Sequence, residues 1–235
     1  MMLYLGYNTF GERGMTDIYK ILDLYCGGGG SAIGLSRVGC FEIIGIDIEP
    51  QPNYPFEFHL GDALTYPLEG IDAYWASPPC QGYSITHNLP WLKDKEYPLL
   101  IKATRERLLA TGKPYIIENV NGARYHKQMP KELVGHGLKA GFLCGTMFGL
   151  PYYRHRRFET NFFWMQPAHP THRIVIESGR MFGSRLRKAH DLLNNELNWM
   201  TEKERSQSIS VAFSEYLGAY LLKVLRGELS LMPMS

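Results

Sequence analysis

Residues 77–84 read Ser-Pro-Pro-Cys-Gln-Gly-Tyr-Ser, which sets Cys80 between the rigid Pro79 and the polar Gln81, directly after the apolar run Ile71–Ala76. This position suits packing poorly and suits presenting a sulfur at a sheet edge well; a thiolate there is a strong nucleophile and a good leaving group. Glu118 closes another apolar run, Tyr115–Glu118, where a carboxyl can hold a salt bridge or exchange a proton with a ligand. Arg154 and Arg156 alternate in Pro151–Phe158, and alternate residues of an extended segment share a face, so both can address one carbonyl or phosphate. Near the N-terminus, Gly27–Gly30 permit a tight turn that can cradle an anion or lie under a nucleoside. Asp47 follows about 20 residues later, as a ribose-binding acid would. Gly27, Gly29 and Ala32 also satisfy the G-x-G-x-x-A dinucleotide pattern, which keeps a nicotinamide oxidoreductase open; no Gly-Lys-Ser/Thr supports a P-loop nucleotidase.

The elements that must position these groups follow from periodicity. Short apolar runs at Ile21–Tyr25, Glu42–Ile48, Phe56–His59, Ile71–Ala76 and Tyr115–Glu118 predict strands. Helices are predicted over Ser31–Val38, stopped by Gly39, and over Glu96–Thr111, ended by Gly112 and Pro114. Strands alternating with helices imply a mostly parallel, doubly wound α/β sheet, whose ligands bind outside the carboxyl ends of the strands. Each chemically suggestive motif falls at a strand end. Thr201-Glu202-Lys203-Glu204 fits a capping box, and Phe213, Tyr216, Leu217, Tyr220, Leu221, Val224 and Leu225 form one apolar helix face.

The 235 residues suffice for one such domain with a short insert, and the formal charge of +2 neither demands nor excludes a nucleic-acid partner. Four dispersed cysteines, with no C-x-x-C and no Cys/His cluster at zinc spacing, read as reduced thiols without a metal. Cys40 and Cys144 sit in apolar contexts and read as packing. No long apolar run is present, so a cytoplasmic location without membrane association is expected.

In order, Asp23-Leu24-Tyr25-Cys26 with its glycines, Asp47, Gly61-Asp62, Pro79-Cys80-Gln81, Glu118-Asn119-Val120 and Arg154-His155-Arg156 resemble the DNA (cytosine-5) methyltransferases, from about Ile21 to Leu225. The resemblance implies a Rossmann-like S-adenosylmethionine-dependent methyltransferase fold acting on double-stranded DNA. It assigns S-adenosylmethionine to Asp23, Tyr25, Cys26, Gly27, Gly28, Gly30, Asp47, Ile48, Asp62, Ala63 and Pro79. In it, Tyr25 lies along the cofactor, Asp47 takes the ribose, Ile48 the adenine face and Asp62 the adenine amine. Cys80 adds to C6 of cytosine, Glu118 addresses N3 and the exocyclic amine, and Arg154 and Arg156 complete the catalytic set. Gln81, Ser84 and Asn119 fall on the substrate, with 81–98 similar to a loop that closes on DNA around an extruded base.

The match departs at three points. Tyr152 stands where the family has glutamine, Ser208–Val211 replace a glycine-asparagine pair, and only about 35 residues (163–199) stand where a groove-reading region needs several positioned side chains. This brevity resembles compact bacteriophage cytosine methylases and implies a short target, with affinity carried by phosphate contacts from Arg185, Arg187 and Lys188. The expected organisation is an extension over 1–19, a catalytic domain over 20–162 and 200–227, and the insert over 163–199, as a monomer. The same motifs also fit an RNA cytosine methyltransferase or a non-catalytic DNA-binding relative.

Overall fold

Strand β1 (Tyr19–Leu24) is apolar on both faces because both are covered: Ile21 packs with Trp75 and Phe213 on one side, Leu22 with Tyr74 and Leu108 on the other. The computed structural model describes residues 17–84, 96–125, 139–150, 152–172, 176–177 and 197–233. After β1 come α1 (Gly30–Ser36), β2 (Phe41–Asp47), β3 (Glu57–Leu60), β4 (Ala73–Ala76), α2 (Ile101–Leu109) and β5 (Tyr115–Val120). There follow β6 (Lys139–Leu143), β7 (Tyr152–Tyr153), β8 (Arg156–Thr160), β9 (Ile176–Glu177), α3 (Glu202–Gln207) and α4 (Val211–Leu225).

Seven strands form one sheet in the order β3-β2-β1-β4-β5-β8-β6. The first five pair in parallel; β8 is antiparallel to both β5 and β6, so it alone runs against the rest. The order reverses at β1, which lies between β2 and β4, and the crevice at their carboxyl ends is the binding position of a doubly wound sheet. Helices α1 and α4 cover one face and α2 the other. The expected α/β fold class is what the chain adopts. No described helix is long and apolar enough to cross a membrane.

One helix start and two strands depart most from the sequence expectation. The helix expected over Glu96–Thr111 begins at Ile101, because Pro98 disfavours helical torsions at Tyr97. Strands β6 and β8 were hidden by their composition: Arg156-Arg157-Phe158-Glu159-Thr160 reads as solvent-facing, yet Glu159 is buried. Its carboxylate takes Arg105 of α2 in a bidentate pair, Nε–Oε1 2.6 Å and Nη2–Oε2 2.7 Å, and accepts from the Tyr115 hydroxyl at 3.4 Å. The pair bolts α2 to the reversed strand. The capping box is present, with Glu204 N–H donating to Thr201 Oγ1 at 3.3 Å and Thr201 N–H to Glu204 Oε2 at 2.6 Å.

Replacing Glu159 by alanine takes the bidentate carboxylate away from the buried Arg105, so urea unfolding should show a loss of about 3–5 kcal/mol. The exposed i,i+4 pair Lys102–Glu106 supplies the control: Glu106→Ala should change stability by less than about 0.5 kcal/mol.

Candidate active site

The ends of the neighbouring strands β1 and β4 form the two halves of the site, with residues added from β2, β3, β5 and β8. β1 ends in the glycine turn, held by Gly27 N–H donating to Asp47 Oδ2 at 3.0 Å, while Asp47 Oδ1 accepts from Glu49 N–H at 3.0 Å. Tyr25 takes φ +58 and Gly29 φ +87. At Gly29 any Cβ would meet Pro55 at 2.7 Å, so the turn needs glycine there for both torsion and space. Cys26 is buried, its thiol pushed far above the usual range by burial and then by Asp23 and Asp47. Tyr25 shares a hydrogen bond of 2.9 Å with Thr104 Oγ1, fixing its ring beside the turn.

Asp23 lies under the turn at 0% exposure. Its Oδ2 accepts from Ser31 Oγ at 2.9 Å and the Tyr54 hydroxyl at 3.2 Å, and its Oδ1 has no hydrogen-bond partner among the described residues. Burial raises its carboxyl from 3.8 to about 7, against the two hydrogen bonds. Ile48 projects at 71% exposure from the end of β2, beside Asp47, and the exposed Asp62 follows β3 with its Oδ1 taking Leu64 N–H at 2.8 Å. Buried Ala63 follows Asp62, its carbonyl accepting from Arg107 Nη1 at 2.9 Å. An exposed apolar side chain following a carboxylate that itself holds the glycine turn fits a nucleoside, with its flat ring and its hydroxyls.

The far half of the site starts at β4. After Ser77-Pro78-Pro79 the chain turns at Cys80 into a short 3-10 helix, Gln81–Tyr83, with Tyr83 N–H donating to Cys80 O at 3.1 Å. Asn119 at the end of β5 donates from Nδ2 to Pro78 O at 2.8 Å and accepts Val120 N–H at 3.0 Å. Expected at the substrate, Asn119 is buried here and positions the cysteine loop. Glu118 precedes it, buried, with Oε1 3.1 Å from Arg156 Nε. Burial raises the Glu118 carboxyl, while Arg156, Arg154 and a hydrogen bond to Ser77 hold it down. Cys80 feels the same groups: burial and Glu118 push its thiol up, and Arg156 and Arg154 pull it back. Arg154 is itself buried, its guanidinium lowered by burial and then by Arg156. The four residues expected to carry the chemistry form one electrostatic cluster.

Gln81 is exposed and Ser84 half-buried at the mouth of this loop. Arg185, Arg187 and Lys188, most of the loop 81–98 and most of the extension 1–19 lie outside the described residues. The C-terminal cover over the glycine turn is not foreshadowed by any local pattern. Trp199 Nε1–H donates to Gly28 O at 3.0 Å, and the Met200 side chain lies 3.2 Å from where a Gly28 Cβ would be. A Cβ on Gly30 would stand 1.8 Å from Ser208 Oγ, so the divergent Ser208–Val211 segment packs directly on the turn. Cys144 is buried, as a packing residue would be, and its sulfur faces His172 at 3.4 Å, beside His155 and His169. The sequence carries no Cys/His cluster at zinc spacing, and the fold brings these four together from separate segments.

With this geometry in view, residues 19–162 match the sequence model of the C-5 cytosine-specific DNA methylases. The chain belongs to that family. It is 26% identical over 161 residues to the type II methyltransferase M1.HphI of Haemophilus parahaemolyticus, covering 57% of this chain and 43% of that protein. To M.NgoFVII of Neisseria gonorrhoeae it is 25% identical over 185 residues, covering 68% and 49%. The chain thus spans less than half the length of each. The Entamoeba histolytica methyltransferase EhMeth shares the fold at a TM-score of 0.58 and 14% identity, over 89% of this chain and 99% of that one.

The Asp23 carboxyl gives the site a pH signature. Between 3.8 and about 7 the folded chain keeps a proton that the unfolded chain has released. The stability tied to Asp23 is therefore complete below about 4 and is lost as pH rises through about 7. Asp23→Asn, neutral throughout, should gain on the wild type by up to roughly 1.4 kcal/mol per pH unit across that window, measured by cofactor-free denaturant unfolding. Parallel stability profiles for the two proteins would refute the buried, protonated carboxyl.

Proposed function

We propose that this chain transfers a methyl group from S-adenosylmethionine to C5 of cytosine in double-stranded DNA, through a covalent bond from Cys80 to C6. The observation that carries the reading is the convergence of Cys80, Glu118, Arg154 and Arg156, with Glu118 and Arg156 paired at 3.1 Å beside the thiol. Membership of the methylase family adds to it.

C5 of cytosine is a weak nucleophile. Addition of the Cys80 thiolate to C6 turns the ring into an enamine whose C5 is electron-rich. Glu118, its carboxyl raised by burial and held down by the two arginines, shares a proton with N3 and accepts from the exocyclic amine, which favours addition and reads the base edge. Arg154 and Arg156 counter the negative charge that builds on the base, and they support the thiolate against the burial that disfavours it. S-adenosylmethionine, when bound, supplies an electrophilic methyl on a sulfonium. Asp47 and Asp62 would hold its hydroxyls and amine, Ile48 and Tyr25 its flat faces, and Gly27, Gly28 and Gly30 the backbone cradle. Loss of the C5 proton to solvent and expulsion of the Cys80 thiolate restore the aromatic ring. The cytosine must leave the duplex to reach this pocket, with Gln81 and Ser84 placed to assist. Residues 163–199 take the part of a reduced recognition region.

Labelled methyl transfer to duplex DNA, single strands and tRNA, with bisulfite mapping of the product, tests the reading. Wild type should modify duplex cytosine at C5, and Cys80→Ala should fall to background while keeping cofactor binding by calorimetry. An active Cys80→Ala protein, modification of tRNA alone, or tight nicotinamide binding in place of S-adenosylmethionine would overturn it.

A further inference from the structure

Around His155, which lies between the two arginines in sequence, three imidazoles and a thiol converge. The ligating atoms of Cys144, His155, His169 and His172 all lie within 4.8 Å of one another, the one such group among the described residues. His155 Nε2 is 3.2 Å from His169 Nε2, which is 2.9 Å from His172 Nε2, which is 3.4 Å from Cys144 Sγ. We propose that these four side chains are a tetrahedral zinc site.

Hydrogen bonding alone does not account for the convergence. A ring nitrogen offers one in-plane direction, either a single N–H or a single lone pair. His169 Nε2 faces two other Nε2 atoms, and His172 Nε2 faces one nitrogen and one sulfur. No choice of tautomers satisfies that set. A cation that accepts one lone pair from each group satisfies all four at once. Zinc–nitrogen and zinc–sulfur bonds of about 2.0–2.3 Å put tetrahedral ligand atoms roughly 3.3–3.7 Å apart, close to the separations seen. One thiolate with three imidazoles suits zinc over the hard, oxygen-seeking cations. Four protein ligands leave no open position, so the site is structural. Binding releases the Cys144 thiol proton to solvent.

The surroundings are built for the same task. Thr146 Oγ1–H donates to Cys144 Sγ at 3.3 Å, as outer partners of metal thiolates do. The Tyr153 ring stacks on His172 at 4.4 Å and 11°, and Phe142 meets His155 and His169 edge-on at 5.4 and 5.3 Å. The coil that brings His169 and His172 is fixed independently: Phe142 N–H donates to Gln166 Oε1 at 3.0 Å, and Tyr216 O–H to Met165 O at 2.6 Å. His155 sits between Arg154 and Arg156 in sequence, so the ion would hold the segment that carries both guanidinia. It would also pin the start of residues 163–199, a stretch too short for a core of its own.

The test is metal analysis of the full chain purified without a histidine tag. Wild type should carry about one zinc per chain. Cobalt replacing it should give d–d bands of tetrahedral intensity and a thiolate-to-cobalt charge-transfer band. Cys144→Ser should lose the charge-transfer band and His169→Ala the stoichiometric metal, whereas Cys80→Ser should keep both. Wild type without bound zinc and without a cobalt spectrum overturns the site, as does full metal retention in Cys144→Ser or His169→Ala. The readout does not depend on methyl transfer, so failure of either reading leaves the other standing.

Discussion

The ion pair between the buried Glu118 and the half-buried Arg156, 3.1 Å apart, is the contact on which the rest of the site depends. A carboxylate and a guanidinium taken out of water each cost several kcal/mol, and the pair is tolerated only with good geometry and further partners. The reversed strand β8 supplies that geometry. A parallel neighbour would bring its own carboxyl end to the carboxyl end of β5. An antiparallel one brings its first residues there, so Arg156 falls opposite Val120, with Arg154 just before it. The bidentate Arg105–Glu159 pair then fixes β8 from the opposite face. The position of the two arginines therefore depends on a strand direction as well as on a motif.

The glycine turn and the cysteine loop leave adjacent strands, β1 and β4, at the point where the strand order reverses. Two side chains lock them in place. Asp47 ties the turn through Gly27, and Asn119 ties the loop through Pro78. Methyl donor and nucleophile would then approach one base from neighbouring strand ends. Cys80 itself is half-buried, its thiol pushed up by burial and Glu118 and pulled back by Arg156 and Arg154. A base that buries against Glu118 and the two arginines would alter that balance where chemistry is needed.

The parallel half of the sheet was legible because β1, β2, β4 and β5 are apolar runs ended by glycine, proline or acid, and each polar motif sits at such an end. The reversed strand was not, since Arg156, Arg157 and Glu159 look solvent-facing until Arg105 is found 54 residues away. The role of Asn119 was hidden in the same way, its partner Pro78 being 41 residues distant. Trp199, Met200 and Ser208 reach the glycine turn from about the far end of the chain, and local pattern carries no trace of such contacts. The Cys144 cluster joins residues from three loops whose spacing matches no zinc motif. What failed to show in sequence was in each case a contact between side chains remote along the chain.

The central claim is that Cys80 bonds to the base it helps to methylate. Duplex DNA carrying 5-fluorocytosine tests it most directly, because fluorine at C5 cannot leave as a proton does and the covalent complex stalls. With S-adenosylmethionine present, the account predicts a denaturation-resistant protein–DNA adduct whose peptide mass places the nucleotide on Cys80. No adduct under turnover conditions, or an adduct on another residue, would contradict it.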